Sequence, residues 1–244
     1  MNLPAEEAIA VPARGHDEPV APLWHSGFML VVFMVLPMLP YMETLRRGAI
    51  HLRSGSHLFK VWAFSIGLGL ELVLWLLVYL GLFLQGTKVV TLAGETWHDL
   101  SGAARDIGYG LFTAFAGMIV MGLVLYFGHA PRPHNEEITP RTLAEIILFF
   151  LLLLSGAVME ELIFRGYFLM QMTHYLDNRL AANCIQALIF ATCHGIGDGF
   201  AGLLSKMSLG LLFGVVAMRR GSLAPTMVAH VLINTVAGIA ILVK

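Results

Sequence analysis

The sequence predicts an all-α polytopic membrane bundle of about seven or eight transmembrane helices, seven by direct count, and three observations carry that prediction. Only 13% of the 244 residues are charged while 57% are hydrophobic, against roughly 25% charged in an ordinary soluble domain. Mean hydropathy is +0.76, and the apolar residues come in runs too long for a soluble core. No strand-type alternation recurs at about ten-residue spacing, so a membrane β-barrel is unsupported. In lipid each span must then satisfy its own backbone hydrogen bonds as a helix. A soluble enzyme is excluded by composition. The formal net charge of −1 gives no reason to expect a nucleic-acid partner.

Residues 1–25 carry Pro4, Pro12, Pro19 and Pro22 among mixed charges and read as a flexible polar tail. They lack the basic region, apolar run and small-residue site of a signal peptide. Residues 26–244 read as a single membrane domain. Its apolar segments fall at about Ser26–Met42, Val61–Gln85, Gly108–Gly128, Leu143–Met170, Ala181–Cys193, Phe200–Met218 and Ala224–Val243. A helix needs about 20 residues to cross the hydrocarbon core, so the first and fifth are short. The fourth would measure roughly 42 Å as a straight helix. It has to tilt, break near Ser155-Gly156 or project beyond the bilayer. No internal repeat suggests a transporter built from two halves. Arg46, Arg47, Arg53 and Lys60 in the first connection favour an N-terminus outside, although Arg219 and Arg220 would then lie outside too. Cys184 and Cys193 form no CxxC pair and read as buried, inert thiols.

Ionisable groups inside apolar spans are the functional signal, because each costs at least about 2.5–3.5 kcal/mol on insertion scales. Of the ten histidines, only His194 and His230 end or interrupt an apolar run. Glu71, Glu145, Glu160 and Glu161 are the acids within spans, and Arg165 is the main cation. Glu160-Glu161-Leu-Ile-Phe-Arg165 is an EExxxR element. Glu161 and Arg165 are i,i+4, in the better orientation for an ion pair, while Glu160 points about 100° away and is left free to act. Phe190-Ala-Thr-Cys-His194 ends the fifth span. His230-Val-Leu-Ile-Asn234 puts an imidazole and a carboxamide one turn apart on the seventh. A bundle can gather Glu160, His194, His230 and Asn234 around one pocket, supplying a carboxylate base for water and polar groups for an oxyanion. Glu71 belongs to no motif, faces Trp75 at i+4, and reads as an acid bonded to another helix.

EExxxR, FxxxH and HxxxN, in this order on successive membrane helices, resemble the CPBP family, which includes the type II CaaX prenyl endopeptidases and bacterial relatives linked to immunity. The resemblance covers a core at about 143–244. It implies an eight-helix intramembrane endopeptidase of glutamate type. By carry-over, Glu160 with His194 would activate water, His230 and Asn234 would stabilise the oxyanion, and Glu161 with Arg165 would hold the site together. The resemblance implies no obligatory cofactor, although Glu160, His194 and His230 could in principle hold zinc. It also implies a membrane-anchored or hydrophobic-tailed protein substrate met within the lipid bilayer, here expected in a bacterial inner membrane. The alternative is a non-catalytic binding or immunity scaffold of the same fold; a third reading makes Glu71 and Glu160 part of an ion or proton path. Gly195-Ile-Gly197-Asp198 spells the GxGD of aspartyl intramembrane proteases, but every other aspartate lies in the tail or a connection. Ser155-Gly156 lacks the first glycine of a rhomboid GxSG.

Overall fold

Every apolar segment read from the sequence is helical wherever the computed structural model describes it, which is over residues 18–35, 57–94, 97, 99–129, 139–194 and 199–243. Eight helices occur among these residues: α1 Leu23–Val35, α2 His57–Gln85, the single turn α3 Val89–Ala93, α4 Leu100–Phe127, α5 Leu143–Leu176, α6 Arg179–Cys193, α7 Gly199–Arg220 and α8 Ala224–Leu242. The described residues contain no strand, only an isolated bridge between Gly94 and Ser222. The architecture is an all-α helical membrane bundle. Five helices, α2, α4, α5, α7 and α8, are long and apolar enough to cross a membrane. The fifteen residues of α6 rise only about 22 Å, short of the roughly 30 Å core.

Three details differ from the sequence reading. The expected boundary at residue 25 falls inside α1, which begins at Leu23. Ahead of it, the Val20 and Ala21 N–H groups donate to Gln171 Oε1 at 2.9 and 3.3 Å. The fourth span does not break at Ser155-Gly156 but runs helically for 34 residues, about 51 Å if straight. Its irregularity comes later, as a π-helical stretch over Leu162–Phe168. The two thiols are not both buried: Cys184 is exposed and Cys193 half-buried, because nine residues at 100° each place them on opposite sides of α6. Arg14, Arg46, Arg47, Arg53 and Gly195–Asp198 lie outside the described residues.

Local chemistry explains the helix ends. Asp99 caps α4 by accepting from Gly102 N at 2.6 Å. Thr142 Oγ1 caps α5 through Glu145 N at 3.3 Å, and Glu145 reaches back to Arg141 N at 2.6 Å, a variant of the reciprocal capping box. Asp177 leaves α5 in the left-handed region with φ 46°. Asn178 then starts α6 by accepting from the Leu180 and Ala181 N–H groups, both at 3.0 Å. Pro225 sits in the first turn of α8, where its missing N–H has no consequence.

The helices alternate in direction. The start of α2 meets the start of α5 through His57 and Glu145. At the opposite face, Arg220 at the end of α7 donates to Asp106 near the start of α4 at 2.7 Å. One apolar core joins α1, α2, α5 and α6, with Phe33, Phe164, Phe168 and Phe190 packed on one another. A second joins α4, α7 and α8 around Phe213 and Ile233. In the most apolar stretch of α7, 44% of residues are buried, against 17% in α2. So α7 is interior, and α2 turns Leu72, Leu76 and Phe83 outward as a lipid-facing helix does.

Candidate active site

The EExxxR element straddles the change of winding in α5. Glu160 and Glu161 end its first α-helical stretch and Arg165 lies in the π turn, a helix irregularity often found at functional sites. Arg165 Nη1 donates to Glu161 Oε1 at 2.9 Å, and both side chains are 0% exposed. The guanidinium stacks over Phe190 at 4.4 Å and lies 5.2 Å from Phe213. A second nitrogen reaches Gly210 O at 3.5 Å. The pair therefore touches α6 and α7 while compensating its own charge.

Glu160, one residue earlier, faces elsewhere and is 31% exposed. Its Oε2 has no hydrogen-bond partner. It stands 3.6 Å from His194 Nε2 and 3.7 Å from His230 Nε2, too far for a direct bond and within the span of one bridging molecule. Both rings are oriented from their far side. His194 Nδ1 lies 2.8 Å from Phe190 O, a pure acceptor, so Nδ1 carries the hydrogen and Nε2 is turned to Glu160. His230 Nδ1 lies 2.8 Å from Glu161 Oε1. The same carboxylate oxygen thus serves Arg165 and fixes the ring that faces Glu160.

The motif spacings acquire a physical account. Phe190 precedes His194 by one turn; it supplies the carbonyl that holds the imidazole, packs its ring 4.4 Å from it, and also lies against the Arg165 guanidinium. Asn234 follows His230 by one turn on α8, and its Nδ2 donates to Leu153 O on α5 at 3.1 Å. An amide NH2 has two hydrogens, so this bond leaves one. Of the sequence candidates, Glu160, His194, His230, Glu161 and Arg165 are joined in one constellation. Asn234 sits beside it, tied to the backbone of α5.

Glu160 and His194 border a partly open cleft. Apolar walls come from Val32 and Phe33 on α1, Leu74 on α2, and Met159, Ile163 and Phe164 on α5. His230 and Asn234 do not line it; His230, only 4% exposed, backs Glu160 from the α8 side. Sequence reasoning left Glu71 out of the site, yet this acid lines the cleft too. Ser155 Oγ lies 2.6 Å from its Oε2, the bond to another helix that was expected. Nothing local in the sequence says that α2 packs on α5 at this height. Among the described residues, no group of three or more His, Cys, Asp or Glu side chains is arranged to hold a metal ion.

Searches of curated proteins and of solved structures gave no match. Residues 142–236 match the family described as type II CAAX prenyl endopeptidase, Rce1-like. This is a protease family, and the stretch contains EExxxR, FxxxH and HxxxN entire. The similarity to that family runs from the cap of α5 into α8.

Proposed function

We propose that this chain is an intramembrane endopeptidase of glutamate type that cleaves membrane-anchored or hydrophobic-tailed proteins, working without a metal in a bacterial inner membrane. The observation that carries the reading is the position of Glu160 Oε2: unpartnered, at the edge of a cleft, and faced by two imidazole nitrogens whose far sides are tied down.

A water bonded to Glu160 and His194 loses a proton to the Glu160 carboxylate as its oxygen attacks the scissile carbonyl carbon. The carbonyl π bond opens to an oxyanion. Collapse of this intermediate breaks the C–N bond, and the proton held by Glu160 passes to the departing amine. Products are a new carboxylate and a free amine. For His230 and Asn234 to meet the oxyanion, the scissile carbonyl has to reach past Glu160 toward α8; there the second Asn234 hydrogen can donate, and His230, with its Nδ1–H on Glu161, donates from Nε2 as the imidazolium. Glu161 and Arg165 touch no reacting atom; they position His230 and the α5 turn.

The test compares membranes expressing wild type and Glu160→Gln by mass spectrometry of protein C-termini. Truncated termini present only with wild type, at equal expression of the two forms, are expected and would name the substrate. Turnover by Glu160→Gln close to wild type would remove Glu160 from the role of base. Identical termini in the two membranes would shift the reading to a binding scaffold.

A further inference from the structure

Among the described residues, every acid within the five long helices faces at least one basic side chain within 4 Å except one. Glu145 has His57 and Lys60, Asp106 has Arg220, Glu161 has Arg165 and His230, and Glu160 faces His194 and His230. Glu71 has only the Ser155 hydroxyl. That hydroxyl also lies 2.6 Å from Leu151 O, and its single hydrogen serves one acceptor fully at a time. An acid so placed in an apolar span calls for a reason.

Its position is built, not incidental. Gly156 follows Ser155 on α5, and a Cβ there would stand 2.7 Å from Glu71 Oε1, so a larger residue at 156 would push the carboxyl group from its present place against α5. Gly156 and Glu160 are four residues apart, about 6 Å along the helix. Glu71 and Glu160 line the same cleft, whose other walls are mainly apolar. An extended substrate advances about 3.3 Å per residue. A peptide with its scissile bond at Glu160 therefore brings a side chain about two residues away to Glu71. Lysine and arginine are the side chains that carry both the missing charge and an apolar stem for such a wall.

We propose that Glu71 is a specificity-determining residue of this cleft, whose carboxylate receives a lysine or arginine of the substrate within about three residues of the scissile bond. The proposal rests on the protease reading above and adds the substrate class.

The experiment uses the purified full chain in proteoliposomes. Internally quenched peptides, built on the sequence cut in the membrane comparison, carry lysine, glutamine or glutamate at each of three positions either side of the bond. At one position lysine should exceed glutamine roughly tenfold in kcat/KM, mainly through KM, with glutamate lowest. Glu71→Gln keeps an oxygen for Ser155 and should bring lysine and glutamine to the same value. Ser155→Ala, which removes the helix-joining bond and keeps the charge, should retain the preference. Equal cleavage of lysine and glutamine peptides by wild type, or a preference that survives Glu71→Gln, would leave Glu71 as a helix-joining acid and overturn the proposal alone. Absence of any Glu160-dependent cleavage would remove the protease reading, and this proposal with it.

Discussion

Glu160 and Glu161 are adjacent, identical in chemistry, and used oppositely. A rotation of about 100° puts one against a guanidinium with no exposure and the other at the rim of a cleft. This division is legible in the sequence because the Glu161–Arg165 pairing is local, four residues along one helix. The bond from Glu161 to His230 is not legible in this way, since it joins α5 to α8 and depends on which helices become neighbours. Asn234 shows the limit of carrying a role by position. Its amide is bonded to Leu153 O, which is what helix-joining asparagines do in membranes, and its second hydrogen is what an oxyanion donor needs. Asn234→Ala separates the two. Loss of an oxyanion donor should lower kcat by about 10²–10³ with little change in KM. Loss of a joining bond alone should lower the melting temperature and leave kcat per folded molecule intact, and steady-state kinetics with thermal unfolding of one sample reads both.

At the scale of the element, α5 is the axis of the site. Its π turn presents Arg165 to Phe190 on α6 and Gly210 on α7, while Glu161 beside it takes His230 from α8. The positions of all these helices thus converge on one buried pair. Removing one partner leaves an uncompensated charge, which in buried pairs destabilises by about 3–5 kcal/mol. Arg165→Met should therefore unfold at a markedly lower temperature than wild type. The double variant Glu161→Gln/Arg165→Met removes both charges and keeps an acceptor for His230 Nδ1, so it should recover most of that loss. A double variant no more stable than Arg165→Met would mean that the pair does more than neutralise itself. The sequence showed where α5 lies but not how it winds. Ser155-Gly156 looked like a break, yet the Ser155 hydroxyl bonds back to Leu151 O and Gly156 makes room for Glu71, so both residues serve packing within an unbroken helix. The π stretch falls among Leu, Ile, Phe and Tyr, whose pattern does not distinguish 3.6 residues per turn from a wider one.

Across the whole molecule, alternating helix directions define two faces. His57, His129 and Arg141 lie toward one; Gln85, Asp177 and Arg219 lie toward the other. Apolar run lengths made this bundle readable from sequence, because lipid requires each span to be a long apolar helix that satisfies its own backbone. They do not set which helices are central, since α2 and α7 are both apolar and only packing makes α7 the interior one. The short α6 has a functional consequence. It starts beside Asp177 and ends about 22 Å later at His194, which predicts a site within the roughly 30 Å hydrocarbon layer, entered by way of the cleft that α1, α2 and α5 wall. The two-face arrangement is open to direct measurement. In a Cys184→Ala/Cys193→Ala background, cysteine at His129 and cysteine at Arg219, both exposed positions, should report opposite sides of the membrane. One should react with an impermeant maleimide in intact cells and the other only after permeabilisation. If both react from the same side, α7 does not cross relative to the end of α4. Glu160 would then lie at a membrane surface instead of within the bilayer, and substrates with no membrane anchor would have equal access to it.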